Sequence, residues 1–399
     1  MIGRWFLRST CPWAILLLSC SNIASAQETT ERSLTARALT IKGDNLTEPC
    51  ELASKQLRIS GKPTPFEQLV RVDWFKRRIR PASHLIVLSN GDQIAATPNV
   101  INEDALIAVR ENREVRIPLE FIRVVMFRMP ETTAARSDRW QEVRENGKED
   151  IIHLQGGDTL QGELLELSAG SVRIDTRNGE TTIPVTRISS IRFSSELITP
   201  VPNKNRIAIL QTIQDDILSV STVMQDENGI RLETTSDAKL VVSLDSIRRI
   251  QFCHDKVRLL AELPPKKSEH VPILGGRKTW QPNRNVRQLP LRSTEREPLG
   301  IGVTSGLRVS WQLDGTAQTL HTLFGLDDLA QRGAAIFVIE ADGRELFRSK
   351  VTRRNKAHQA PELSLKGARE LTLAVEYGPN GDLNDMANWL SPVLVRSED

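Results

Sequence analysis

The residues whose types and spacing could do chemistry lie near the end of the chain, between positions 382 and 389. Asp382, Asn384 and Asp385 follow directly after the turn Pro379-Asn380-Gly381. Carboxylate, amide and main-chain oxygens are the ligands that Ca²⁺ prefers in proteins. The sequence therefore predicts a structural calcium site at Asp382, Asn384 and Asp385. A network of Asx turns that holds this loop is the alternative.

The same segment could also bind a sugar. Trp389 could offer its indole face to the C–H side of a sugar ring, while Asp385 and Asn388 form hydrogen bonds to the hydroxyl groups. A tryptophan just before a closing strand is also often a core residue, so two roles stay open for Trp389. The carbohydrate-binding residues that we expect are Asp385, Asn388 and Trp389.

Motifs typical of enzymes are missing from the sequence. It has no HExxH, no G-x-S-x-G and no complete phosphate loop, and its six histidines show no pair at ligand spacing. Asp327 and Asp328 are adjacent carboxylates, but glycoside hydrolysis needs two carboxyl groups that face each other across a cleft. A capped loop is the more common role of such a pair. We therefore expect a protein without enzymatic activity.

These residues must be positioned by the elements of the last hundred residues. Apolar and polar side chains alternate over 307–313 and again over 371–377, which is the pattern of half-buried strands. Asp314-Gly315 and Asp342-Gly343 supply turn residues between such segments. This part of the chain is predicted to form an antiparallel β-sandwich of the jelly-roll kind.

Four short motifs in this region carry a family resemblance. They are Gly300-Ile301-Gly302-Val303, Gly325-Leu326-Asp327-Asp328, Asp342-Gly343, and Asp385 with Ala387 and Trp389. Together they resemble the NPCBM family of carbohydrate-binding modules, which occur on glycoside hydrolases and on many secreted bacterial proteins. The resemblance covers about a third of the chain. It implies a sandwich over residues 256–399 that binds a polysaccharide or glycan.

The sequence departs from this family at two positions. Thr304 and Met386 stand where the family commonly has histidine. These departures favour an alternative function, a structural or protein-interaction scaffold of the cell envelope with a degenerate sugar site.

The first 26 residues have the pattern of a secretory signal peptide. Arg4 and Arg8 precede the apolar run Ala14–Leu18, and Ala24-Ser25-Ala26 forms a small-x-small cleavage site. The apolar run is too short to span a bilayer. Leu17-Leu18-Ser19-Cys20 is close to a lipoprotein box, so lipidation of Cys20 is an open alternative. Both interpretations predict a protein that is secreted, periplasmic or attached to the cell envelope.

The middle of the chain contains an internal repeat. Ile117–Phe127 recurs at Ile183–Phe193 and again at Val242–Phe252, and its pattern also occurs at Thr64–Trp74. Each copy is predicted to hold four or five short strands, as in a small barrel or meander. The turn and the bend at Gly162 resemble, more distantly, the Sm-like small barrel. The predicted repeats are a partial copy at 35–79 and full copies at 80–130, 148–197 and 204–253.

Composition limits the remaining possibilities. The net charge of +3 argues against a nucleic-acid-binding protein, which needs a clustered basic surface. Outside the predicted signal peptide the chain has two cysteines, Cys50 and Cys253. In an oxidising compartment these could form a disulfide, or they could stay unpaired as small buried residues.

Overall fold

The structure is a computed structural model, and it describes residues 34–396 except 54–55, 75–77, 103, 143, 145, 169, 204, 227–228, 274, 294 and 354–355. The predicted signal peptide and Cys20 lie outside these residues. The described part is almost entirely β-structure, with one α-helix, α1 (Thr133–Glu142). The all-β fold class predicted from the sequence is thus confirmed. Within the same residues, no helix combines the length and the apolar character needed to cross a bilayer.

The described chain begins with a small barrel of five strands, barrel unit 1. Its strands are β1 (Leu34–Thr40), β2 (Asn45–Ala53), β3 (Gln56–Ile59), β4 (Lys62–Pro65) and β5 (Leu69–Asp73). Consecutive strands from β1 to β4 pair antiparallel. A 3-10 helix at Phe66–Gln68 then carries the chain to β5, which returns to pair with β1. The copy that the sequence presents as partial therefore has all five strands.

Three further barrel units follow; units 3 and 4 repeat this layout, and unit 2 has six strands, three of which form a sheet of their own. The strands of unit 2 are β6 (Leu85–Leu88), β7 (Gln93–Ile94), β8 (Thr97–Asn102), β9 (Ala105–Arg110), β10 (Arg113–Pro118) and β11 (Ile122–Met126). Those of unit 3 are β12 (Asp150–Leu154), β13 (Thr159–Leu167), β14 (Ser171–Thr176), β15 (Gly179–Pro184) and β16 (Ile188–Arg192). Those of unit 4 are β17 (Ala208–Thr212), β18 (Ile217–Asp226), β19 (Gly229–Thr234), β20 (Lys239–Val242) and β21 (Ile247–Phe252).

In each of these units the closing strand pairs with the first strand, as in unit 1. A 3-10 helix precedes the closing strand at Leu119–Phe121, Val185–Arg187 and Leu244–Ser246. Gly162 lies in the bent strand β13, where a Cβ atom would collide with the backbone carbonyl of Asp175. The bend that the sequence suggests at this glycine is therefore a close approach of two strands. The exact residue boundaries of the repeats stay a prediction.

The closing strands also join the units in pairs. β5 of unit 1 pairs antiparallel with β21 of unit 4, and β11 of unit 2 pairs with β16 of unit 3. Within the sheet, one residue pair, Gln93 of β7 and Ile217 of β18, connects the two pairs of units. Each closing strand is paired on both edges, and all residues of β5, β16 and β21 are buried. This arrangement protects strand edges that would otherwise be open to other chains.

The last part of the described chain is a sandwich of two antiparallel sheets, as predicted. Its strands in chain order are β22 (Val257–Leu259), β23 (Lys267–His270), β24 (Gln281–Pro282), β25 (Arg292–Ser293), β26 (Glu295–Arg296), β27 (Gly300–Thr304), β28 (Leu307–Gln312), β29 (Ala317–Leu326), β30 (Ala334–Ala341), β31 (Arg344–Arg348), β32 (Thr352–Arg353), β33 (His358–Gln359), β34 (Leu363–Ser364), β35 (Glu370–Tyr377) and β36 (Met386–Arg396). A 3-10 helix, Leu260–Glu262, follows β22.

One sheet has the order β24-β27-β36-β29-β33, and β22 and β34 are added to β36 and β29. The other has the order β23-β28-β35-β30-β31, with β32 beside β30. An aromatic core lies between the sheets: Phe324 and Phe337 have ring centroids 4.9 Å apart, and Phe337 and Trp389 have theirs 5.1 Å apart. Burying one such side chain stabilises the fold by roughly 1.5–3 kcal/mol.

The sandwich packs directly on the barrel units. Val257, Leu299 and Val393 share one apolar cluster with Leu39 of unit 1 and Ile209 of unit 4. A second apolar cluster joins Leu289 to unit 2 and to Trp140 of α1. Leu34 and the residues after it thus form one compact unit. Cys50 and Cys253 are both free thiols, and burial raises the pKa of each to about 11.

Candidate functional site

One end of the sandwich gathers the loops that carry the predicted site residues. The β35–β36 loop, residues 378–385, lies against the β29–β30 loop, residues 327–333. Asn380 Nδ2 donates to the Arg332 carbonyl at 2.7 Å, and Asn384 Nδ2 donates to the Leu329 carbonyl at 3.2 Å. The backbone N–H of Gly378 donates to the Ala334 carbonyl at 3.0 Å. These bonds fix the two loops as one surface, which we call the loop end of the sandwich.

Asp385 anchors the loop end from inside. Its side chain is buried, and its Oδ1 accepts a hydrogen bond of 2.8 Å from the Ala334 N–H. Its Oδ2 is buried and has no hydrogen-bond partner among the described residues. Burial raises the pKa of Asp385. The Ala334 N–H and the polar side chains of Ser305 and Asn380 oppose this rise, and the nearby charge of Asp382 adds to it. A buried carboxylate oxygen without a partner costs free energy, which a donor group or a bound water molecule would lower.

Two more oxygens beside Asp385 share this property. The side chains of Ser305 and Asn380 adjoin its carboxylate. Ser305 Oγ and Asn380 Oδ1 are buried, again without a hydrogen-bond partner in the part of the chain that the structure describes. The carboxylates of Asp385 and Asp382 and the side-chain oxygens of Asn380 and Ser305 lie in this region, and oxygens are the ligand type that a hard cation prefers.

The calcium ligands predicted from the sequence fit this arrangement only in part. Asp382 and Asp385 lie near each other, but the Nδ2 of Asn384 is directed to the Leu329 carbonyl. Asn384 has a positive φ of 56°, which fits the alternative role of this residue in the turn. Over residues 34–396, apart from the gaps given above, no group of three or more His, Cys, Asp or Glu side chains is close enough to hold a metal.

Trp389 and Asn388 do not reach the surface. Trp389 has no exposed area, and its ring packs edge-on against Phe337. Asn388 is also fully buried, and its Nδ2 donates to Asp327 Oδ2 at 2.9 Å. Trp389 lies on the inward face of the central strand β36. Its ring is thus part of the core and is not available to stack on a sugar. Of the two roles that the sequence left open for Trp389, the structure shows the core role.

Asp327 is the centre of a buried hydrogen-bond cluster. Its Oδ2 accepts from Asn388 and, at 3.2 Å, from Asn285 Nδ2, while its Oδ1 accepts from the Leu329 N–H at 3.1 Å. Burial raises the pKa of this carboxyl group. The Asp-Asp pair is therefore a capped loop, as expected. Sequence reasoning missed Asn285 because it lies far from Asp327 along the chain.

The Gly-Ile-Gly-Val motif has a related structural cause. Gly302 of β27 lies against the segment that contains Asn285, and a Cβ atom at this position would collide with the Arg284 carbonyl. A glycine allows that segment to cover β27 and brings Asn285 to Asp327. The family motifs therefore describe how the sandwich is held together.

Beside its polar loop, the loop end of the sandwich exposes several apolar side chains. Val271, Ile273 and Leu383 are exposed by 72%, 55% and 55%. The hydroxyl group of the half-buried Tyr377 donates to the Val271 carbonyl and holds this segment against the sandwich. Apolar side chains beside a few polar groups are a composition that ligand sites share, so this surface is a candidate for ligand contact. Sequence reasoning missed these residues, because only the folded loops bring 271–273 next to 377–383.

Comparison with known families agrees with this architecture. Residues 257–395 match the NPCBM/NEW2 domain. The NPCBM resemblance predicted from the sequence is thereby confirmed for this part of the chain, and the match supports a carbohydrate-binding module. No curated protein matches the chain.

Several solved structures of carbohydrate-binding modules are similar to parts of the chain. The CBM51 of Clostridium perfringens GH95, in complex with methyl-galactose, shares 16% identity, with a TM-score of 0.32, 35% of this chain and 99% of that chain covered. CBM51-2 with the INT domains of C. perfringens ZmpB, in complex with GlcNAc, shares 17% identity with a TM-score of 0.33. The match covers 47% of this chain and 43% of that chain. The tandem CBM51 modules of Sp3GH98 from Streptococcus pneumoniae share 12% identity with a TM-score of 0.30. The match covers 78% of this chain and 88% of that chain. Similarities of this size carry no conclusion about the ligand of this chain.

Proposed function

We propose that this is an exported protein without enzymatic activity whose C-terminal sandwich binds carbohydrate at the cell envelope or outside the cell. The match of residues 257–395 to the NPCBM/NEW2 domain is the observation that carries this proposal. The signal-peptide pattern of residues 1–26 supports export, by cleavage after Ala26 or by lipidation at Cys20.

The loop end of the sandwich is the proposed binding surface. Ile273 and Leu383 would pack against the apolar face of a sugar ring, while Asp382 lies on the adjoining polar loop. Asp385 would order this surface from below, together with a structural Ca²⁺ bound to the oxygens of Asp385, Asp382, Asn380 and Ser305. Asn388 and Trp389 support the same end of the sandwich through Asp327 and the aromatic core.

A glycan array probed with the whole exported chain tests this function. We expect specific binding that falls at least tenfold in Ile273→Ser and Leu383→Ser, because each change removes apolar contact with the sugar ring. Val351→Ser is the matched control, since Val351 is an exposed apolar residue outside the loop end. Each protein is assayed with Ca²⁺ and with a chelator.

Two outcomes would count against the proposal. Binding that survives both substitutions would move the sugar site away from the loop end. Failure of the folded protein to bind any glycan would favour the second candidate function, an envelope scaffold that contacts other proteins. The complete burial of Asn388 and Trp389 is the observation that favours this second candidate.

A further inference from the structure

A polar cavity lies where barrel units 2 and 4 meet the sandwich. Its volume is about 340 Å³, and residues from all three parts line it, among them Asn90, Ser219 and Asn283. A neighbouring groove of about 440 Å³ shares these three residues with the cavity, so the two depressions are continuous. Volumes of this size are typical of sites for small ligands.

Four arginines line the cavity: Arg123, Arg206, Arg284 and Arg296. Two of them are neutralised by a carboxylate, since Arg206 pairs with Glu262 at 2.6 Å and Arg296 pairs with Asp215 at 2.8 Å. The other two contact only neutral oxygens among the described residues. Arg123 donates to the Arg144 carbonyl and to Asn146 Oδ1, and Arg284 donates to the Gln288 carbonyl.

The carboxylates in the lining are already engaged. Asp92 accepts hydrogen bonds from the N–H of Ser219 at 2.8 Å and from its Oγ at 2.9 Å. Glu262 is bound to Arg206, and Glu297 is bound to Arg249. Glu262 and Glu297 are therefore neutralised by arginines other than Arg123 and Arg284, and burial raises the pKa of Asp92, which disfavours its charged form.

The guanidinium groups of Arg206 and Arg296 also lack complete hydrogen bonding among the described residues. Arg296 is only 5% exposed, and its Nε has no hydrogen-bond partner in the described part of the chain. Its guanidinium carbon lies 5.6 Å from the centre of the Trp140 ring, which forms one wall of the cavity. Burial, together with the positive charges of Arg123 and Arg296, lowers the pKa of Arg284 to about 10. A bound anion would relieve this repulsion and accept the unused N–H groups.

We propose that this cavity binds a ligand through an oxyanion group, which is a carboxylate, sulfate or phosphate held between Arg123 and Arg284. Arginine suits this role because its planar group donates two parallel hydrogen bonds to such anions. The site is separate from the loop end of the sandwich. It exists only when units 2 and 4 are folded against the sandwich, and so it gives the barrel units a part in ligand recognition.

Isothermal titration calorimetry on the whole exported chain, with inorganic sulfate and with glucuronate, tests this site. Sodium chloride keeps the ionic strength constant. We expect saturable binding that weakens at least tenfold in Arg123→Gln and in Arg284→Gln. Arg287→Gln is the matched control, because Arg287 is exposed, lies on the same segment as Arg284 and is not part of the lining.

The two probes distinguish the possible sources of the anion. Binding of glucuronate indicates an acidic saccharide, and binding of sulfate alone indicates a free ion. Absence of saturable binding for both probes, or equal binding in wild type and both variants, would overturn the proposal. If a variant fails to fold, thermal unfolding of the wild type tests the proposal. The unfolding midpoint must rise when either anion is added at constant ionic strength, and an unchanged midpoint would overturn the proposal.

Discussion

At the scale of single residues, the positions that the sequence marks for chemistry are mostly anchors. Asp385, Asn388 and Trp389 are each at most 2% exposed. Their types and spacing are visible in the sequence, but the direction of their side chains is not. A shift of one residue in the pairing of β36 would exchange its two faces, and its pairing with β29 does contain such irregularities. Side-chain chemistry was therefore predictable here, and accessibility was not.

The first prediction concerns Asp385→Asn. Because burial raises the pKa of Asp385, its contribution to stability is present at acid pH and is lost as the pH rises through the pKa of the folded state. Asparagine keeps the acceptor for the Ala334 N–H and has no charge to bury. Without Ca²⁺ we expect the variant to gain stability relative to wild type as the pH rises from 4 to 8, as measured by urea unfolding.

With added Ca²⁺, wild type should become more stable than Asp385→Asn. A ligand at 100 times its Kd stabilises the folded state by about 2.7 kcal/mol, and the variant would lose this gain because it lacks the carboxylate. Glu362→Gln, a change at an exposed carboxylate, is the control. Equal stabilisation of wild type and Asp385→Asn by Ca²⁺ would rule out a calcium site at Asp385.

At the scale of elements, the closing strands of the barrels do two tasks. They complete their own unit, and they join it to a second one. Between β5 and β21 the junction is charged: Asp73 binds Arg71 at 2.7 Å and also binds Arg249, and all three side chains are buried. Arg249 binds Glu297 of the sandwich as well. One carboxylate thus supports the contact between two barrel units.

The second prediction concerns Asp73→Asn. Burial raises the pKa of Asp73, but Arg249 and Arg71 outweigh this effect and lower it from 3.8 to about 2. Removing one partner of such a buried group leaves uncompensated charge, and this typically costs about 3–5 kcal/mol. We expect a loss of this size in the free energy of unfolding at pH 7, measured by denaturant titration.

The pH dependence gives an independent check of Asp73. Since its pKa is lower in the folded state, its stabilising effect is present above pH 3.8 and is lost as the pH falls toward 2. The difference between wild type and variant should therefore shrink over this interval. Asp104→Asn is the control, because its pair with Arg116 is exposed and is worth at most about 1 kcal/mol. A similar loss in both variants would contradict the role of Asp73.

The sequence predicted some elements well and others poorly. Alternation of side chains located β28 and β35, and the repeated segment that ends at Phe127, Phe193 and Phe252 located the closing strands of units 2 to 4. The first four strands of unit 1 share no such motif with the other copies. A strand of a barrel needs only an alternation of buried and exposed side chains, and many different sequences provide it. The sequence comparison therefore missed these four strands. Pairing of β5 with β21 joins residues 176 positions apart and leaves no local pattern.

At the scale of the whole molecule, the sandwich is not an independent attachment. Leu299, Val393 and Val395 bury their side chains in a cluster with residues of units 1 and 4. Two ion pairs, Arg249–Glu297 and Arg296–Asp215, cross the same boundary. Separation would expose this apolar surface and would leave these charges without partners. We therefore expect the barrel units and the sandwich to unfold in a single transition.

The third prediction tests this coupling with Leu299→Ala. Leu299 is 4% exposed, so the change leaves a cavity at the boundary and should cost about 2–5 kcal/mol. Differential scanning calorimetry should show one transition for wild type, and a lower or divided transition for the variant. Leu197→Ala, at an exposed leucine, is the control. Two separate transitions in wild type would show that the boundary does not couple the two parts.

The pairing of closing strands also limits how many barrel units such a chain can carry. Each closing strand has one edge for its own unit and one for a neighbour, and the four units use these edges in two pairs. A fifth unit would find no free closing edge, and loss of one unit would leave an edge strand exposed. We therefore expect viable descendants of this chain to gain or lose barrels two at a time, or to cover an odd edge with another element.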